Sequence, residues 1–227
     1  MIIIYFGKGE RGATCLETIL QAHYNVALIV LQSEGDRQMT DLADRYGIKH
    51  IVLQDPNAPE SAKILQAEKA DLFILGGYGK IIRRHIIDIP NIMCINLHGG
   101  ALPAYKGSSP MNWALRNGET SFKVSIIKVD SGVDTSPILS EQEQAVTLDD
   151  TIVTLHQKAN AVFPKMLLDV LRKIKNQTCQ PMPNPGNEGG YYPLRFAEDG
   201  FILFDQFTAF EVHNRIRALT HPYPCAF

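Results

Sequence analysis

The chain has 227 residues, 45% hydrophobic and 20% charged, and its 22 basic against 24 acidic side chains leave a net charge of −2. That content excludes a disordered chain, fits one domain or one domain plus an appendage, and allows a core that needs neither disulfide nor metal. The charge balance argues against a surface built to neutralise a nucleic-acid backbone, while leaving room for a local basic pocket that holds one phosphorylated ligand.

Along the chain, apolar runs of strand length at 2–6, 26–31, 51–53, 72–75 and 93–97 alternate with helical spacing at 13–22, 37–46, 59–69 and 80–87. Fully apolar strands alternating with helices predict βαβ units, hence an α/β, Rossmann-like, mostly parallel sheet with helices on both faces. A strand at 122–129 and a more polar edge strand at 139–146 follow, then a long helix over 148–175 capped at Thr147. Pro164 lies inside that helix and predicts a kink or a break. After Asn176 the composition changes, and the proline- and glycine-rich stretch 181–190 reads as an extended tail across the surface, with a short helix at 209–219 beyond it. This divides the chain into a catalytic domain over 1–176 and a linker with a C-terminal appendage over 177–227.

The start reaches Lys8 too early for a signal peptide, and no apolar run approaches the roughly 18 residues of a membrane span. Cys15, Cys94, Cys179 and Cys225 form no C-x-x-C pair and read as reduced thiols of a cytoplasmic protein, with no metal site.

Three segments carry chemistry. Gly7-Lys-Gly9-Glu-Arg11-Gly12 follows a strand and opens a helix, the context of a phosphate-binding loop. A phosphate or diphosphate ranks ahead of a bare turn there, and NAD last, since Glu10 repels a pyrophosphate although Glu34 is placed for a ribose. The second segment runs from Ile95 to Gly107 and starts where open α/β sheets place their ligands. Asn96 and His98, two apart in a strand, share a face, and a neutral donor beside a titratable imidazole suits acyl transfer. The third is the turn holding Asp130 and Asp134. Asp134 is placed to orient His98, although an Asx-turn or cap is the commoner role of a turn aspartate. Trp113 reads as a packing anchor, and the other histidines show no metal-ligand spacing.

Together, Asn96-Leu-His98-Gly-Gly-Ala-Leu-Pro103 with Lys106-Gly107, Pro110-Met-Asn-Trp113 through Asn117-Gly-Glu119, and Asp130-Ser-Gly-Val-Asp134-Thr resemble the 10-formyltetrahydrofolate-dependent formyltransferases. The resemblance implies a catalytic set of Asn96, His98 and Asp134. It implies a folate co-substrate lying against Gly77, Tyr78, Gly79, Lys80, Ile82 and the Asp130 turn, and no metal. Among the branches, glycinamide ribonucleotide formyltransferases lack the Pro-x-Asn-Trp segment, and methionyl-tRNA formyltransferases continue into a tRNA-binding domain for which this chain ends too early.

The nucleotide-sugar N-formyltransferases look closest, through 11–17, Tyr191-Tyr-Pro193 and the segment 216–224. That branch implies a nucleotide-activated amino sugar, such as a dTDP-4-amino-4,6-dideoxy sugar of lipopolysaccharide O-antigen synthesis, as the acceptor. It also implies contacts to Gly9, Arg11, Lys106 and Asn112, a homodimer, and no nucleic-acid or membrane partner. Cys225 stands where the family commonly has glycine, and either a truncation near Phe227 or the loss of C-terminal strands would explain the short end.

Overall fold

The structure is a computed structural model that describes residues 1–185, 188–221 and 223–227. Gly186 and Asn187 of the proline–glycine stretch and Pro222 of the terminal motif lie outside the described residues. Strands β1 (Ile2–Gly7), β2 (Asn25–Leu31), β3 (His50–Val52), β4 (Leu72–Gly76) and β5 (Met93–His98) alternate with helices α1 (Gly9–Gln21), α2 (Arg37–Arg45), α3 (Pro59–Ala67) and α4 (Arg84–Ile87). Then come β6 (Tyr105–Gly107), α5 (Pro110–Arg116), β7 (Ser121–Lys128), β8 (Ile138–Ala145), α6 (Ile152–Lys175), β9 (Gly190–Tyr192) and α7 (Ala209–Ala218).

The main sheet has seven strands in the order β3-β2-β1-β4-β5-β7-β8. The first five pair in parallel, and β7 and β8 close the sheet antiparallel. The period-2 alternation of β1 explains its unbroken apolar run. Ile3 and Tyr5 enter the core beneath α1 and α6, while Ile4 and Phe6 enter the one beneath α3 and α4. The strand order reverses between β1 and β4, so a crevice opens at their carboxyl ends, where such sheets hold ligands.

Gly12 owes its identity to this crevice. A side-chain carbon there would stand 2.8 Å from the Gly76 carbonyl oxygen, and one on Gly76 would overlap the Tyr5 hydroxyl. The glycine loop thus serves first to bring α1 against β4.

The expected strands and helices are present, with the short strands β6 and β9 added to them; several boundaries differ for identifiable reasons. Helix α1 starts at Gly9 rather than 13, because the Asp36 carboxylate accepts its first amide at 2.7 Å. Helix α4 shrinks to one turn, because Lys80 donates to the Leu53 and Gln54 carbonyls and the Arg83 amide to the Asn57 side chain. Helix α6 is capped by Thr151 in a reciprocal pair with Thr154, not by Thr147, and it continues through Pro164. A buried stripe running from Ile152 to Ile174 outweighs the roughly 3 kcal/mol cost of one interior proline. The extended stretch after 181 is pinned to the domain. Met182 exchanges two backbone hydrogen bonds with Ile138, and β9 pairs with β6 in a second small sheet.

Asp150 closes the turn ahead of α6. Its carboxylate accepts from the Thr147 amide and hydroxyl and from Thr154, and pairs with Lys158 at 2.6 Å. Burial pushes its pKa up, but the bond from Lys158, the Thr147 amide and the two threonine hydroxyls together hold it well below the usual carboxylate range. The folded state therefore binds this proton less readily than the unfolded chain does. The contribution is complete above about pH 4 and is lost as the pH falls through the lowered folded value.

Asp150→Asn is expected to cost about 2 kcal/mol in urea unfolding at pH 7, under the value of a fully buried pair because Lys158 is half exposed. Below about pH 4 the gap to the parent should close. An equal gap at pH 7 and pH 3 would contradict this.

Candidate active site

Strand β5 delivers Asn96 and His98 to the crevice. The register places Asn96 between Leu75 of β4 and Ile127 of β7, and all three line a cavity of about 310 Å³. His98 is 5% exposed. Its Nε2 lies 2.7 Å from the Tyr105 carbonyl oxygen, which has no proton to give, so Nε2 donates. Nδ1 is then the nitrogen that faces Asp134, whose Oδ1 is 3.4 Å away. Gly100 is required beneath this contact, because a side-chain carbon would approach both His98 Nε2 and the Tyr105 oxygen to 2.6 Å.

Asp134 is a non-glycine residue in the left-handed region, with φ of 52°. The surroundings hold it there. Its Oδ2 accepts the Gly107 amide at 2.9 Å, and the Asn184 side chain donates to the carbonyls of Asp134 and Ser136 at 3.0 and 2.9 Å. The predicted trio is thus brought together. An imidazole faces a carboxylate on one side and an amide two residues away on the same strand face. That arrangement can steady charge on a carbonyl oxygen while exchanging a proton.

Of the expected folate residues, Tyr78, Gly79, Lys80, Ile82 and Asp130 line the same cavity, while Gly77 lines a neighbouring one. Leu75, Ile82, Ile127 and Val129 make its walls apolar, and the backbone of the 130–134 turn edges it with donors and acceptors. A flat heterocycle with polar edges fits that chemistry. The Tyr78 hydroxyl is buried without a partner among the described residues, and burial, with Asp55 nearby, pushes it up to about 12. Lys80 turns its ammonium to the two β3-end carbonyls. Asp130 closes its own turn, accepting from the Gly132 amide at 2.8 Å.

The second cavity, about 590 Å³, is lined by Lys8, Gly9, Arg11, His156, Asn160 and Tyr223 among others. The glycine loop expected to hold a phosphate thus borders a cavity, with Gly9 and Arg11 on its wall. The Gly9 amide is already taken by Asp36, a carboxylate in the place of a phosphate. Glu34, which only the last-ranked NAD reading would place beside a ribose, is exposed.

Arg11 turns inward, its guanidinium 5.0 Å from the Phe163 ring centre and 3.3 Å from His156 Nδ1. Burial, with Arg11 as neighbour, pulls His156 down to about 4. Lys106 and Asn112 line neither cavity. Lys106 donates to the Glu188 carbonyl at 2.6 Å. Asn112 is fully buried, donating to the Ala218 carbonyl and accepting from Arg195. Both side chains tie chain segments together.

Two supporting residues carried no sequence signal. Asn184 lies in a proline-rich stretch that reads as linker. Ser125, opposite His98 in the sheet, donates to the Gly100 carbonyl at 3.1 Å and looks in the sequence like any strand serine.

The family profile described as formyl transferase matches residues 1–171. The methionyl-tRNA formyltransferase of Acetivibrio thermocellus is 32% identical over 236 residues, covering 100% of this chain and 75% of that protein. Among solved structures, the N-formyltransferase of Helicobacter canadensis, with folinic acid and dTDP-3-aminofucose, superposes with a TM-score of 0.75 at 20% identity. That match covers 96% of this chain and 79% of the other. The methionyl-tRNA formyltransferase of Clostridium thermocellum gives a TM-score of 0.70 at 21% identity, covering 100% and 86%. At such identities the two structures speak for the fold alone. With the family profile across three quarters of its length and a relative matched along all of it, this chain belongs to the formyl transferase family and is a 10-formyltetrahydrofolate-dependent N-formyltransferase.

Proposed function

We propose that the chain moves the formyl group of 10-formyltetrahydrofolate to the α-amine of methionyl-tRNA. The observation that carries the acceptor is the 32% identity to a methionyl-tRNA formyltransferase along the whole chain. Among the solved structures the sugar-modifying and methionyl-tRNA neighbours stand alike, at 20% and 21% identity, and speak for the fold alone. A nucleotide-linked amino sugar, the acceptor implied by the motif resemblance, is the second reading. It is favoured by the net charge of −2, which suits one diphosphate better than a long polyanion.

10-Formyltetrahydrofolate supplies the electrophilic formyl carbon when bound, with Tyr78, Gly79, Ile82 and the 130–134 backbone holding it. Asn96 donates to the formyl oxygen as negative charge builds there during attack by the amine. His98, protonated at Nε2 toward Tyr105, exchanges the proton of the attacking nitrogen at Nδ1, directly or through water. Asp134 steadies the imidazolium that results and keeps Nδ1 aimed at the site. The proton is returned to the departing folate nitrogen, so the acceptor ends as a formamide and the folate as tetrahydrofolate.

Incubation with 10-formyltetrahydrofolate and a panel of methionyl-tRNA, glycinamide ribonucleotide and dTDP-, GDP- and UDP-amino sugars tests the acceptor, with formylated product read by mass. Methionyl-tRNA is expected to be formylated fastest. Turnover confined to a sugar nucleotide would replace the acceptor and leave the catalytic set standing; no product with any amine would defeat the reading.

A further inference from the structure

The segment Asn117-Gly-Glu119 takes no part in the site described above, yet it ends against the residue that holds His98. Tyr105 accepts the His98 Nε2 proton on its backbone oxygen at 2.7 Å. Its ring, 8% exposed, stacks on Tyr192 with centres 4.9 Å apart and planes 12° from parallel. Its hydroxyl donates to Glu119 Oε1 at 2.6 Å and accepts from the Asn117 side chain at 3.1 Å. Glu119 is itself fixed. Its amide donates to the Ala114 carbonyl at the end of α5, and Gly118, with φ of 75°, makes the turn that brings it back.

We infer that Glu119 is a positioning residue for the reaction, acting through the Tyr105 hydroxyl to hold the carbonyl that selects the His98 tautomer. The linkage is continuous. Glu119 holds the phenol, the phenol and its stacked ring hold residue 105, and the carbonyl of residue 105 holds Nε2. Nδ1 is thereby left toward Asp134. A ring free to turn or to change tautomer would present the wrong nitrogen, a geometric error that lowers turnover without weakening substrate binding. Burial and the bond to Glu119 both raise the Tyr105 phenol, so it remains a donor at any working pH.

The inference rests on the assignment of His98 as the proton-handling residue. The test compares Tyr105→Phe, Glu119→Ala and Glu119→Gln with the parent and with His98→Asn. Transfer is measured to methionyl-tRNA, or to the amino-sugar nucleotide if the acceptor panel selects it. The His98 ring nitrogens are followed by ¹⁵N NMR in the whole protein.

Tyr105→Phe and Glu119→Ala should each lower kcat by about 10- to 100-fold, leave both KM values within about twofold, and shift the His98 signals toward mixed tautomers. Glu119→Gln keeps an acceptor oxygen and should restore both rate and signals. Parent-like kcat and His98 signals in Glu119→Ala would overturn the inference, even with a lowered melting temperature. Should Tyr105→Phe fail to fold, the Ala–Gln pair at 119 decides alone. An active His98→Asn would instead overturn the reading beneath it, which keeps the two failures distinct.

Discussion

His98→Asn is expected to lower formyl transfer by about a thousandfold, within the range that a positioned acid–base group contributes. Asparagine keeps a donor for the Tyr105 carbonyl and much of the ring's volume, so the packing around this 5%-exposed site should survive. What disappears is a group able to take up a proton beside Asp134. Single-turnover transfer should collapse while calorimetric titration with a folate analogue changes little, because the cavity of about 310 Å³ is walled by residues other than His98. Parent-like turnover in this variant would remove His98 from the mechanism.

Asn96→Ala is expected to lower kcat by about 10²–10³, the effect of deleting one oxyanion donor, with KM for both substrates near the parent's. The split follows from timing, since the donor is worth most when charge has developed on the formyl oxygen. Asn96→Asp should be at least as damaging, because a carboxylate of similar size would face that developing charge. A rise in KM with unchanged kcat would mean that Asn96 serves ground-state binding instead.

The acceptor is where the two readings parted. The motifs at 11–17, Tyr191-Tyr-Pro193 and 216–224 point to the sugar branch, and that branch implied contacts at Lys106 and Asn112. The structure turns both side chains into the protein, and identity along the whole chain supports methionyl-tRNA. The identity of a lysine in a short strand or an asparagine in a helix carries no mark of its direction. A backbone carbonyl satisfies its donor as well as a ligand does.

Much of the architecture was legible in the residues alone. The two-faced burial of β1 to β5 requires continuous apolar runs, and such runs separated by helical spacing can only build a covered parallel sheet. Asn96 and His98 were legible for a related reason, since period-2 geometry places them on one face at the carboxyl end of a strand. Other features depended on partners distant in sequence. The Asp36 carboxylate accepts the Gly9 amide of the glycine loop across a separation of 27 residues. Asn184 anchors the Asp134 turn from 50 residues away. The Tyr105 carbonyl aims the His98 ring, and Glu119 secures that tyrosine from beyond α5. Local periodicity reports how a segment meets the core. A hydrogen bond between two loops depends on where the whole sheet has carried them, and only the folded chain decides it.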